Sequence, residues 1–452
     1  MKPLALLMFL ISQVFSLAVR AAQPGPISWV ADDYPAAVEA ARKADRPLVI
    51  DLWAPWCHSC RSMQHTVLVG ADMAAVAPRF VWLSMNTDTP AAAETTRRFP
   101  QSAWPTFLVV DPFSETVQAR HVGTASPAQF RHFLDDGERA YVDARGKAGA
   151  LTQRDPRWHM RAGDQAALKK DHKAAAAAYA KALEVASREW RGRAAARSAL
   201  AFELAADAAH GACVELGLQV EVAAAEGPSA VDFVLTTAQC AESLPDADPR
   251  KRRVRERAVA ALARIGRDPA AALSPDDRVD ALWSLVGLHD LLQQPEAARK
   301  TALETRALLD RAASEAGSAA HAATFNMRRV DVYSYLGEGE ALVPILRANV
   351  DALPGEYDPP ARLARLLLKL KRPDEALAPA QVALSRVQGP RTANLLKLMV
   401  EVPGTPIIEV HVPAWRNTGQ YSDSQAVDLC WSHEAQVEVD IGDTDEADAR
   451  SA

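Results

Sequence analysis

Apolar residues between positions 27 and 134 fall into short runs of strand length that alternate with helix-like segments. Ile27 to Val30 reads as a short strand, and Tyr34 to Lys43 as an alanine-rich helix capped by Asp32 or Asp33 and stopped at Arg46-Pro47. Leu48 to Trp53 is a continuous run suited to a buried strand, and a helix is expected to start at Cys57 and run through Met63 and beyond. Phe80 to Met85 is the next strand, Pro90 to Arg98 the next helix, and Thr106 to Val110 a further strand closed by the turn Asp111-Pro112. A strand over Val117 to Val122 and a helix over Pro127 to Leu134 end the pattern. This order predicts an α/β domain with a small central sheet.

From about Asp155 the strand signal fades, and alanine-rich helical segments broken by Gly, Pro and Asp continue to about Val400. Gly163, Ala175, Tyr179 and Ala182 have the spacing of a helix–turn–helix repeat, in which small residues let two helices approach and the tyrosine fills the gap. A looser copy runs through Leu363, Ala376, Ala380 and Ala383, and a third lies around Glu340, Ala341 and Leu346. The segment Ala281 to Ala307 is helical but matches poorly. A stacked array follows, because each pair has an apolar face that only a neighbour covers; the alternative is an irregular bundle. The expected division is an α/β domain over 22–145, an all-α helical-repeat domain over 155–400 and a partly disordered C-terminal extension over 401–452. That extension holds a strand-like run, Ile407 to Val412, and an acidic end, Asp440 to Asp448.

A chain of 452 residues is too long for a single core of ordinary size. The formal net charge of −6 gives no reason to expect nucleic acid, and the basic run Arg250 to Arg257 reads as one solvated helix face. Lys2, the apolar stretch Leu4 to Val19, and the small residues Val19 and Ala21 have the form of a signal peptide over 1–21. The expected location is therefore periplasmic or otherwise exported. Membrane attachment enters only if that segment is left uncleaved. Such a compartment permits disulfides.

The five cysteines form a close pair, Cys57 and Cys60, a spaced pair, Cys213 and Cys240, and a single Cys430. At a helix N-terminus the first thiol of a C-x-x-C pair meets free backbone N–H groups and the positive end of the helix dipole, which stabilise its thiolate. The second, one turn on, can attack the mixed disulfide formed on the first. Cys57 is therefore expected as the exposed nucleophile and Cys60 as the buried resolving thiol. The competing readings are half of a zinc site or a structural pair. No second C-x-x-C exists, and His58, between the cysteines, is expected to point outward, so no metal site is expected. Cys213 and Cys240 flank the Gly227-Pro228 break and are placed as a structural disulfide across a helical hairpin, with two buried free thiols as the alternative. Cys430 has no sequence partner, and a second redox pair involving it stays open.

The stretch Asp51 to Met63, with Trp53-Ala54-Pro55-Trp56-Cys57-His58-Ser59-Cys60 at its centre, resembles the active-site strand and helix of the thioredoxin superfamily. Trp104-Pro105-Thr106 resembles that family's cis-proline segment, and Gly123 before the last helix also fits. The resemblance covers residues 27–140 and is closest to exported thioredoxin-like proteins; the helical region resembles tetratricopeptide repeats. It implies that Asp51 is the buried acid that takes or relays the proton of Cys60. It also implies a cis Pro105, which sets Trp104 and its carbonyl beside the cysteines to hold an extended substrate. Trp56, His58, Trp104 and Pro105 are then the substrate-binding residues, with Trp53 mainly structural. His58-Ser59 stands where ordinary thioredoxin has Gly-Pro, which leaves the direction of electron flow open. The expected activity is thiol–disulfide exchange of the protein-disulfide reductase type. It needs no cofactor beyond the Cys57–Cys60 disulfide, acts on protein thiols and disulfides with a separate redox partner, and uses helical repeats to bind protein or peptide. The alternative is a non-catalytic binding scaffold.

Overall fold

A computed structural model describes residues 25–146, 151–389 and 391–400. The expected signal segment over 1–21, the 401–452 stretch and Cys430 lie outside the described residues. Five strands form one sheet in the order β1-β3-β2-β4-β5: β1 Trp29–Ala31, β2 Leu48–Trp53, β3 Val81–Asn86, β4 Thr106–Val110 and β5 Val117–Val122. β1 and β2 run parallel to β3, whereas β2–β4 and β4–β5 are antiparallel. Around the sheet lie helices α1 Tyr34–Ala44, α2 His58–Thr66, α3 Ala71–Ala74, α4 Ala93–Arg98 and α5 Pro127–Ala144.

Side-chain alternation along β2 sorts the core into two layers. Leu48, Ile50 and Leu52 pack with Leu108 and Val110 against Ala37, Val38 and Ala41 of α1. Val49 packs with Phe107 and Val109 against Met63 of α2 and Phe130 and Leu134 of α5. Asp51 is two residues beyond Val49, so it lies on the face that α2 covers. α5 continues ten residues past the expected stop at Leu134. Gly137 lies within this continuation: a Cβ there would come within 2.5 Å of Val109 Cγ2, so the glycine permits helix and strand to touch.

The rest of the described residues are mainly helical. α6 Pro156–Leu168, α7 His172–Val185, α8 Arg193–Ala206, α9 His210–Gln219 and α10 Gly227–Glu242 come first. They are followed by α11 Pro249–Arg267, α12 Pro275–Leu291, α13 Pro295–Ser314, α14 Ala319–Ala323 and α15 Asn326–Leu336. α16 Val343–Ala352, α17 Asp358–Lys369, α18 Pro373–Arg386 and α19 Arg391–Val400 complete the series. Consecutive helices pack in pairs, α6 with α7, α12 with α13 and α17 with α18. In the first pair a Cβ on Gly163 would lie 2.5 Å from the Tyr179 ring, so the glycine makes room for the buried tyrosine. In α17 and α18, Leu363, Ala376, Ala380 and Ala383 are all buried. The third copy is less regular: Gly339–Leu342 forms a 3₁₀ turn ahead of α16, with Leu346 buried and Glu340 and Ala341 exposed. Along α11 several basic side chains are ion-paired, Arg250 with Asp248 and Glu215, Arg252 with Glu256 and Arg255 with Glu242. No helix among the described residues is long and apolar enough to cross a membrane.

Cys213 on α9 and Cys240 on α10 are joined as a disulfide with Cα atoms 6.2 Å apart, inside the core that also holds Ala201, Val214 and Leu262. The closed loop spans 27 residues. Replacing both cysteines with alanine is expected to lower unfolding free energy by about 3 kcal/mol, read from chemical denaturation. A loss below about 1 kcal/mol would show that the crosslink does little to restrain the unfolded chain.

Candidate active site

Cys57 is the N-cap of α2, and its Sγ accepts a hydrogen bond from the Cys60 backbone N–H at 3.0 Å. The Cys57 and Cys60 sulfurs are bonded to each other, with Cα atoms 5.3 Å apart. The same N–H and the helix N-terminus would favour a Cys57 thiolate on reduction. Ser59 Oγ lies 3.4 Å from Cys57 Sγ and donates to the Trp104 carbonyl at 3.4 Å. The Trp104–Pro105 peptide is cis, and the Pro105 carbonyl accepts from Gly123 N–H at 2.9 Å. Trp53, Trp56 and Trp104 pack around Ala54, Cys57 and Cys60. Trp56 and Trp104 meet edge to face at 5.3 Å.

Behind this cluster Asp51 is buried, pairs with Phe107 across β4 and takes a side-chain hydrogen bond from Gln64. Its Oδ1 has no hydrogen-bond partner. Burial pushes its pKa up to about 8, and the Gln64 bond offsets only part of that. A carboxyl that titrates near neutrality behind a dithiol can accept or return a thiol proton.

Two expectations about exposure are overturned. Cys57 is only 3% exposed, close to the 1% of Cys60, because the helical region packs across the active-site face. His58 does not point outward. Its Nδ1 lies 2.9 Å from Asp276 Oδ2 and its Nε2 lies 3.7 Å from Asp280 Oδ2, both on α12. Burial pulls the His58 pKa down, but the two carboxylates outweigh that and hold it above its ordinary value. Arg328 Nε donates to Asp280 at 2.7 Å. His58, Asp276 and Asp280 offer a nitrogen and two oxygens within 4.8 Å of one another, a set a cation could use. The ring nitrogens face different carboxylates, however, and Arg328 already pairs with Asp280, so the arrangement reads as a balanced ion network.

Other contacts hold the cover down. Arg61 is ion-paired with Glu356, Ser62 Oγ lies 3.1 Å from Ser274 Oγ, and His65 stacks on His321. Tyr357 donates to Asp88 at 2.8 Å, and Arg362 donates to the Trp56 carbonyl at 3.0 Å. Sequence patterns could not reveal Asp276, Asp280, Arg362 or Tyr357, since each ordinarily reads as a helix-end or surface residue. Removing one partner of a buried ion pair costs several kcal/mol. Asp276→Ala is therefore expected to loosen the cover and speed reduction of Cys57–Cys60 by dithiothreitol about tenfold or more, followed by tryptophan fluorescence. An unchanged rate would place the restraint elsewhere.

A family model described as thioredoxin-like matches residues 28–112. The molecule thus joins an N-terminal thioredoxin-like α/β domain with a five-stranded sheet to an all-helical C-terminal region. No curated protein matches the sequence. A chain from the structure of Naa15/Naa10 bound to HypK-THB aligns over 69% of this chain and 62% of its own length. Identity there is 12% with a TM-score of 0.21, so that likeness carries no argument.

Proposed function

We propose that the protein is a thiol–disulfide oxidoreductase acting outside the cytoplasm on peptide or protein substrates. A thioredoxin-like domain with a C-x-x-C pair already supports a thiol redox role. The observation that carries this reading is the buried Asp51 carboxyl, one of whose oxygens has no hydrogen-bond partner, on the strand face that α2 covers, with Cys57 at the N-terminus of that helix. A binding scaffold has no use for that combination. In the reaction, the Cys57 thiolate attacks a substrate disulfide, forms a mixed disulfide and releases one substrate thiolate. Cys60 then attacks Cys57 Sγ, releases the second thiolate and restores the Cys57–Cys60 bond, with Asp51 taking the Cys60 proton. The Leu4 to Val19 stretch and the Cys213–Cys240 disulfide support the exported location. The helical region, as a repeat-like surface laid over the site, supports a role in partner binding.

The scaffold reading draws on one observation, the cover over Cys57. Dithiothreitol-driven reduction of insulin, comparing the full chain with Cys57→Ser, separates the two readings. A wild type no better than the variant would leave the scaffold.

A further inference from the structure

We propose that the cleft between Trp56 and helices α15, α17 and α19 docks the substrate of the Cys57–Cys60 pair, and that it selects peptides with acidic residues beside the cysteine. The proposal rests on the thiol-exchange reading and adds the substrate's chemistry.

The cleft has a volume of about 330 Å³, room for a few residues of a peptide. Five cationic side chains line it, Arg328, Arg362, Arg365, Lys369 and Arg391, against two carboxylates, Asp331 and Asp358. Those carboxylates are already engaged. Asp358 accepts from Arg362 at 2.6 Å, and Asp331 lies 3.4 Å from Arg328 and 3.7 Å from Lys369. Arg328 is shared with Asp280 and Asp88 lies within electrostatic reach of Arg391; counting both carboxylates, the excess stays positive, and Lys369 and Arg391 present it. The Lys369 side chain is 50% exposed, while the Arg391 guanidinium lies over the Trp56 ring at 3.7 Å. Guanidinium groups bind carboxylates through paired, charge-assisted hydrogen bonds, whereas a basic peptide would meet like charge.

Trp56 ties this cleft to the chemistry. Its ring lines the cleft, its carbonyl accepts from Arg362, and it directly precedes Cys57. On the other side the same indole packs with the cysteines and meets Trp104. One residue is therefore a wall of both the charged cleft and the disulfide site. A cysteine flanked by glutamates would have its carboxylates drawn to α17 and α19 while its sulfur lies toward Cys57. Exchange then follows the steps above: two electrons pass from the Cys57/Cys60 dithiol to the substrate disulfide, and the two substrate sulfurs take up the two protons.

Three short peptides that differ only in having glutamate, glutamine or lysine around a central serine test docking without exchange. Titrated into the oxidised full chain by calorimetry, the glutamate peptide is expected to bind about tenfold tighter than the glutamine peptide and the lysine peptide weakest. The gap should narrow between about 0.05 M and about 0.5 M salt. The double variant Lys369→Glu, Arg391→Glu should invert the order, and Lys369→Arg should keep it. Equal affinities, or an order that survives the charge reversal, would overturn the proposal. The same peptides with cysteine, as disulfide-linked dimers, are then mixed with the reduced protein, where the glutamate dimer should oxidise it fastest. Tight binding of the glutamate serine peptide with no oxidation by any dimer would instead sink the redox reading and leave an acidic-peptide cleft.

Discussion

Replacing Cys57 by serine is expected to bring dithiothreitol-driven insulin reduction down to the rate of dithiothreitol alone. A serine hydroxyl at the N-cap of α2 keeps the cap hydrogen bond to the Cys60 N–H but cannot form the mixed disulfide through which exchange proceeds. The fold should therefore survive while the activity does not, and circular dichroism with thermal denaturation checks the first half of that statement. Cys60→Ser behaves differently. It keeps the nucleophile and lacks the resolving thiol, so substrate accumulates as a covalent adduct on Cys57, visible as a mass shift that reductant reverses. Adducts on a Cys57→Ser protein, or none on Cys60→Ser, would reverse the roles assigned to the two sulfurs.

Asp51→Asn should give the second large effect, in opposite directions for stability and turnover. The folded protein holds this carboxyl with a pKa near 8, against an ordinary value of 3.8. Between these values the folded state binds the proton more tightly than the unfolded state does. The contribution is therefore complete below about pH 4 and is lost as pH rises through about 8. Above that pH the folded chain carries a buried charge with one of its oxygens unpartnered. Asparagine removes the charge, so Asp51→Asn is expected to be more stable than wild type by about 5 kcal/mol at pH 8, with little difference at pH 4. Turnover at pH 7 should fall about tenfold to a hundredfold, because the Cys60 proton loses its acceptor. The wild-type inflection near pH 8 in the resolving step should disappear in the variant. A variant no more stable at pH 8 than at pH 4, relative to wild type, would contradict the burial argument.

The sheet and the cysteine pair could be read from sequence because both are local. β2 and β4 are largely apolar runs, interrupted only by Asp51 and Thr106, whose limits coincide with the expected Leu48–Trp53 and Thr106–Val110, since a strand buried on both faces admits few polar residues. The α2 start at Cys57 likewise follows from the motif itself. Errors came where a residue's meaning depends on something distant. Gly137 resembles a helix end until Val109 is found pressed against it. His58 resembles a surface residue because its partner, Asp276, is 218 positions away. The cationic cleft was invisible for the same reason: Trp56 belongs to one domain and Lys369 and Arg391 to helices more than 300 residues later.

Those long separations give the polypeptide a history. An N-terminal domain of this kind can fold from contacts that are nearly all its own, and its Cys57–Cys60 turn needs none of the residues that lie over it in the finished molecule. Asp276 follows Cys60 by more than 200 residues and Tyr357 by nearly 300, an interval on the order of tens of seconds at ordinary rates of chain synthesis. Pairs such as α6 with α7 assemble from near neighbours and so form quickly, whereas the cover over the cysteines is complete only when both α12 and the chain's last third are in place. A chain that folds in the order of its sequence thus passes through a stage in which its reactive sulfurs are bare, and it becomes guarded only on completion.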